Sequence, residues 1–149
     1  MQPTLRALGL LAAAAAALAG QGAAAQTQTA NADFKARLTP VPVETSTAAS
    51  ITGSGVVMAT LTGTRLSLSG TFAGMKSAAT LAQVHLGPKG VRGPVEFDLT
   101  VEKAPSGSIE GSVTLTKVQL DSLRKGWFYI QIHAEKAPDG NLWGWLLPR

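Results

Sequence analysis

Residues 95–102 read Val-Glu-Phe-Asp-Leu-Thr-Val-Glu, an unbroken alternation of apolar and polar side chains. Successive side chains of a strand point to opposite faces, so a period of two describes a half-buried strand. A helix would repeat its apolar residues every three to four positions instead. The same period runs through the chain from Asp33 onward. Phe34, Ala36 and Leu38 alternate with Lys35 and Arg37 until Pro40 and Pro42 interrupt pairing. After a small, polar loop over 45–54, Val57, Ala59 and Leu61 open a second strand, which Gly63 turns. Leu66, Leu68, Gly70 and Phe72 then share one face of a third strand, opposite Arg65, Ser67, Ser69 and Thr71. A fourth strand is expected over 80–86, ended by Gly87-Pro88-Lys89-Gly90. Beyond residues 95–102, Pro105-Ser106-Gly107 turns the chain into Ile109, Gly111, Val113 and Leu115, and two further strands are expected over 127–134 and 142–147.

One helix interrupts the series. Thr116 with Gln119 three residues later has the spacing of a capping box, Val118, Leu120 and Leu123 have helical spacing, and Gly126 is a C-terminal stop. The expected fold is therefore all-β: an antiparallel β-sandwich or flattened barrel of about eight strands with one short helix near 117–125.

A different pattern precedes the strands. Arg6 is the only charge before an apolar run from Ala7 to Ala19, and Gly20 and Gly22 lead to Ala23-Ala24-Ala25. A short positive segment, a 13-residue apolar core and an A-x-A ending describe a secretory signal peptide cleaved before Gln26. The run is too short for a membrane anchor, which takes roughly 20 apolar residues. The chain divides into a signal peptide over 1–25, a loose mature N-terminus over 26–32 and a β domain over 33–149. The expected location is periplasmic or secreted.

Composition narrows the chemistry. The chain has no cysteine, which excludes a disulfide framework, thiolate metal sites, a cysteine nucleophile and a lipidated cysteine anchor. Its net charge of +4 is dilute, with basic residues interleaved among acids such as Glu96, Asp98, Glu102 and Glu110. That pattern argues for solubility and against a nucleic-acid footprint. No G-x-S-x-G, H-E-x-x-H, Walker loop or dinucleotide fingerprint is present.

The residues with chemical potential fall on strand faces. Gln83 and His85 share a face of the fourth strand; Tyr129, Gln131 and His133 point away from the apolar side of the seventh, formed by Phe128, Ile130, Ile132 and Ala134; Trp143 and Trp145 oppose Leu142, Gly144 and Leu146 on the last. If these strands are neighbours, the seven side chains line one ligand-binding surface. Aromatic rings beside amides suit a sugar or a partner protein. His85 and His133 are the two candidate metal ligands, for copper or zinc, provided the imidazoles converge to within about 3 to 4 Å. A structural role for each remains the third possibility.

Three ordered blocks resemble the CHRD (chordin) domain family. Ala82-Gln83-Val84-His85-Leu86-Gly87-Pro88 with Gly93-Pro94-Val95 is similar to its A-H-I-H-x-G-P and G-P-V segments; Leu115-Thr116, Gln119-Leu120, Leu123 and Gly126 to its helix; and Tyr129-Ile130-Gln131-Ile132-His133 with Pro138-Asp139-Gly140-Asn141-Leu142-Trp143-Gly144 to its closing block. Gln83 stands where the family has the first histidine of its H-x-H pair, and Asn141 and Trp143 stand where it has an acid and an arginine. The resemblance implies a β-sandwich-like extracellular module. With two of three histidines kept, the expectation is a non-enzymatic binding or structural module with no cofactor, whose partner is an extracytoplasmic protein or a glycan. The alternative is a copper- or zinc-binding protein resembling copper-zinc superoxide dismutase in architecture.

Overall fold

The alternating segments pair into one antiparallel sheet. The computed structural model describes residues 31–149, and the expected signal peptide lies outside them. In chain order the elements are β1 (Asn31–Pro40), β2 (Ser54–Thr62), β3 (Arg65–Ala73), β4 (Ala79–Leu86), β5 (Val95–Val101), β6 (Gly107–Thr114), α1 (Lys117–Arg124), β7 (Phe128–Ala134), β8 (Ala137–Trp145) and β9 (Leu147–Pro148). The sheet runs β2-β3-β6-β5-β4-β7-β8-β1, and β1 pairs back onto β2 from Asn31↔Thr62 to Leu38↔Gly55. The result is a closed antiparallel barrel of eight strands. Closure pairs the two ends of the strand order, and eight strands make an interior that side chains can fill. Phe34, Ala36, Leu38, Val57, Leu66, Leu68, Val84, Ile109, Phe128, Ile130, Ile132 and Leu142 fill it, as their alternation requires.

The seam of the barrel lies between β8 and β1. These strands share only two Cα pairs, Thr39↔Trp143 and Pro40↔Leu142, while β9 takes the other end of β1 through Phe34↔Pro148 and Lys35↔Leu147. The helix bridges β6 to β7 and carries the expected capping box. The Gln119 amide donates to Thr116 Oγ1 at 3.2 Å and the Thr116 amide donates to Gln119 Oε1 at 3.0 Å. Gly126 ends it at φ +71°, a conformation side chains disfavour.

Several expectations shift in detail. Strand β1 begins at Asn31, so Asn31 and Ala32, assigned to the loose N-terminus, pair with Thr62 and Leu61. On β5, Leu99 is buried but Phe97 is half-buried and Val95 exposed. Of β5, only Thr100 and Val101 pair with β6, so its first half has β4 as its one strand neighbour among the described residues. Val118 is exposed; the helix buries Leu123 and Ser122 instead. Strand β8 starts at Ala137 rather than Leu142, because Glu135-Lys136 already closes the hairpin through the Ala134↔Ala137 pair. Among the described residues no helix is long and apolar enough to cross a membrane.

Candidate functional site

Strand register brings the seven candidate residues together. β4, β7 and β8 are adjacent, and their pairs align Gln83 with Gln131 and Trp143 in one row, and His85 with Tyr129 and Trp145 in the next. His133 faces Leu81 one row beyond Gln131. All lie on the outer face of the barrel, as parity requires. The rings form a continuous cluster. His85 stacks on Tyr129 with centroids 5.0 Å apart and planes 15° apart, Tyr129 meets Trp145 at 4.9 Å, and Trp145 meets Trp143 edge-on at 4.8 Å. Trp127 is not part of it; it lies exposed under Lys125 Nζ at 5.1 Å.

This outer face is not an open surface. Tyr129 and Gln131 are almost wholly buried, and so is His85. One cover is the segment 87–94. The Gly93 amide donates to the Tyr129 hydroxyl at 2.9 Å, the His85 Nδ1–H donates to the Gly93 carbonyl at 3.0 Å, and Trp145 Nε1–H donates to the Gly87 carbonyl at 2.9 Å. Arg92 reaches across to donate to the Asp139 carbonyl at 2.7 Å and lies 5.8 Å from the centre of the Trp143 ring.

The other cover is a bulge in β8. Between the pairs Ile132↔Leu142 and Ala134↔Ala137, β7 places one residue, His133, against four on β8. Extra residues in one strand leave backbone groups outside the ladder. Side chains take up those carbonyls: His133 Nδ1–H donates to Pro138 at 2.7 Å and the Gln131 amide donates to Asp139 at 3.0 Å. Pro138, which has no N–H to offer a ladder, is tolerated at a bulge. Gln83 stands apart from this network and donates to Asp98 Oδ1 at 2.7 Å.

Both histidines are held the same way. A carbonyl only accepts, so each neutral ring carries its proton on Nδ1 and keeps a lone pair on Nε2. His133 Nε2 accepts from the Gln131 side-chain amide at 3.4 Å, whereas His85 Nε2 and Gln131 Oε1 are buried with no hydrogen-bond partner among the described residues. The ring centres are 6.4 Å apart. Burial lowers the His85 pKa from the ordinary 6.5, with His133 and Arg92 acting in the same direction and the Gly93 carbonyl opposing them.

Trp143 and Trp145 lead out of this buried cluster into a groove of about 620 Å³ along the barrel seam. Its lining includes Lys35 and Arg37 from β1, Lys89 from the covering segment, and Arg149, with no acidic side chain among the described residues. These cations were not among the sequence candidates. Lys35 and Arg37 were visible as the outer face of β1, but only barrel closure brings β1 beside Trp143.

The family model of the CHRD domain matches residues 34–146. The chain belongs to the CHRD domain family. No curated protein and no solved structure matches it significantly. Membership supports a binding or structural module rather than an enzyme. In this CHRD domain the first and third family-like blocks meet in space: 82–95 supplies His85 and the covering segment, and 129–144 supplies Tyr129, Gln131, His133 and the bulge that receive them. In this chain the two blocks form a clasp between β4 and the β7–β8 hairpin.

Proposed function

We propose that this CHRD domain is an exported, non-enzymatic binding module that takes an acidic saccharide in the groove between β1 and β8. One observation carries the reading: half-buried Trp143 lies in the groove wall while Lys35, Arg37 and Lys89 line the same space, with no acidic side chain among the described residues that line it. An indole presents an apolar body suited to the C–H face of a sugar ring, and its buried neighbour Trp145 fixes it in place. Lysine and arginine around an apolar patch select carboxylate or phosphate substituents. The clasp holds Lys89 over the groove, so the site is preorganised rather than assembled on binding. A periplasmic or secreted location is supported by the signal-like residues 1–25.

The test is a tryptophan-fluorescence titration with an oligouronate and with a neutral oligosaccharide of equal length. Saturable quenching by the oligouronate alone is expected, with Trp143→Ala weakening it by at least about tenfold and added salt weakening it further. Equal binding of the two saccharides, or binding unaffected by Trp143→Ala, would overturn the proposal.

A further inference from the structure

We propose that the groove continues across β1 into a second subsite that takes an uncharged sugar, so that the domain selects a chain of mixed acidic and neutral residues. The inference deepens the saccharide reading of the groove and rests on it. Lys35 and Arg37 line two hollows. On one side of them lies the groove of Trp143; on the other lies a hollow of about 330 Å³ over β2 and β3, whose lining includes Ser54, Val56, Thr71 and Ala73. The strand register accounts for the continuity. Arg37 pairs with Val56 and Val56 with Thr71, so one lateral row of outward side chains crosses β1, β2 and β3. Thr39, two residues from Arg37 and on the same face, pairs with Trp143 on the other side of β1. Neighbouring strands lie about 4.7–4.9 Å apart, so three spacings put Trp143 and Thr71 roughly 14 Å from each other across the sheet. A single sugar ring cannot touch both. A chain can, with its bridging ring over Lys35 and Arg37.

Charge distinguishes the two ends. The groove adds Lys89 and Arg149 to the shared pair. The hollow adds no charged side chain among the described residues. Farther along the row Thr71 pairs with Ser108, which makes Glu110 the diagonal neighbour of Thr71 across the β3–β6 ladder, a separation of about 7–8 Å. That is within the Debye length of about 8 Å at physiological salt. A carboxylate carried as far as Thr71 would therefore be repelled by Glu110, while the shared cations already serve the bridging ring. A neutral ring meets no such cost. Val56, 38% exposed, offers an apolar contact for its C–H face, and the exposed Ser54 and Thr71 hydroxyls both donate and accept. The second subsite thus discriminates by a repulsive element as well as by attractive ones.

The experiment is a tryptophan-fluorescence titration with two tetrasaccharides, a tetrauronate and a chain alternating uronate with neutral hexose. The wild type is expected to bind the alternating chain at least about threefold more tightly, despite its fewer carboxylates. Thr71→Lys, at an exposed position, should reverse that order by giving the second subsite a cation of its own. Thr62→Lys, which adds the same charge at the far end of β2, should leave the order unchanged. Tighter binding of the tetrauronate by the wild type, or an order that Thr71→Lys does not alter, would overturn the second subsite. Saturable tetrauronate binding that depends on Trp143 would in that case leave the groove reading in place, whereas binding of neither saccharide would overturn both.

Discussion

Tyr129 and Gly93 are joined twice: the hydroxyl of Tyr129 accepts the Gly93 amide proton at 2.9 Å and lies 3.4 Å from the Gly93 carbonyl oxygen. A core-side strand thereby grips the loop that covers its own outer face, and Lys89 of the groove sits on that loop. Removing the hydroxyl leaves the Gly93 amide without this partner at a part-buried position. Tyr129→Phe is expected to cost about 1–3 kcal/mol, measured by urea unfolding, and to speed hydrogen exchange at Gly93. Unchanged exchange there would show that the loop is held by its other contacts alone.

Gly93 is also sterically demanded. A Cβ at this position would run into the carbonyl oxygen of Leu86, whose own amide donates to Pro94 at 2.9 Å. Backbone cannot swing aside as a side chain can, so Gly93→Ala must lift the segment from the barrel. The variant is expected to lose about 1–3 kcal/mol and to change the near-ultraviolet circular dichroism of the Tyr129–Trp145 pair. A native spectrum would mean that the loop has slack.

Ile132 and Phe97 should separate in a stability comparison. Ile132 is fully buried inside the barrel, while Phe97 is half-buried and meets Phe128 edge-on at 6.0 Å. Ile132→Ala is expected to cost about 2–5 kcal/mol. Full burial would put Phe97→Ala at about 3–5 kcal/mol, and the half-exposed ring should fall below that range. The midpoint of denaturant unfolding at constant slope reads both. A larger loss for Phe97→Ala would place the ring in the core after all.

The contrast between those two residues shows what could be read without coordinates. Alternation reports which side chains share a face, and for β1, β2, β3 and β7 the apolar face is the barrel interior. It does not report what lies over the other face. Tyr129, Gln131 and His133 were correctly set opposite Phe128, Ile130 and Ile132, yet the cover comes from 87–94 and the Pro138–Asn141 bulge, which period-two reasoning treats as turns. The hairpin closure at Glu135-Lys136 was hidden for the same reason: Pro138-Asp139-Gly140 carries stronger turn chemistry, but that chemistry serves a bulge. The cations of the groove were hidden differently. Lys35 and Arg37 sit about a hundred residues before Trp143 in the chain, and only the closure of the barrel makes them its neighbours.

The capping box offers a check on the helix alone. Thr116 and Gln119 satisfy each other's backbone donors, and Gln119 Nε2 further donates to Glu96 Oε2 at 2.8 Å, tying the helix to β5. Thr116→Ala is expected to cost about 1 kcal/mol. Gln119→Ala removes one cap bond and the link to Glu96 together, so thermal unfolding should show at least as large a loss. A smaller loss would mean that the tie to β5 contributes nothing.

The pH dependence of stability follows from His85. Burial, aided by His133 and Arg92, lowers its pKa below 6.5 in the fold, while the unfolded chain retains the ordinary value. Below pH 6.5 the unfolded state therefore holds a proton that the folded state resists, and protonation pulls the equilibrium toward unfolding. The stability tied to the neutral ring is fully present above pH 6.5. It falls as the pH drops toward the lowered folded value, by at most about 1.4 kcal/mol per pH unit for one group. A comparison with His85→Gln isolates the effect, because the variant keeps every other ionisable group. Urea midpoints taken from pH 7.5 down to 5.5 should decline more steeply for the wild type than for the variant. Parallel declines would show that His85 is protonated in the fold as readily as in the unfolded chain, and hence that the ring is not held neutral beneath Gly93.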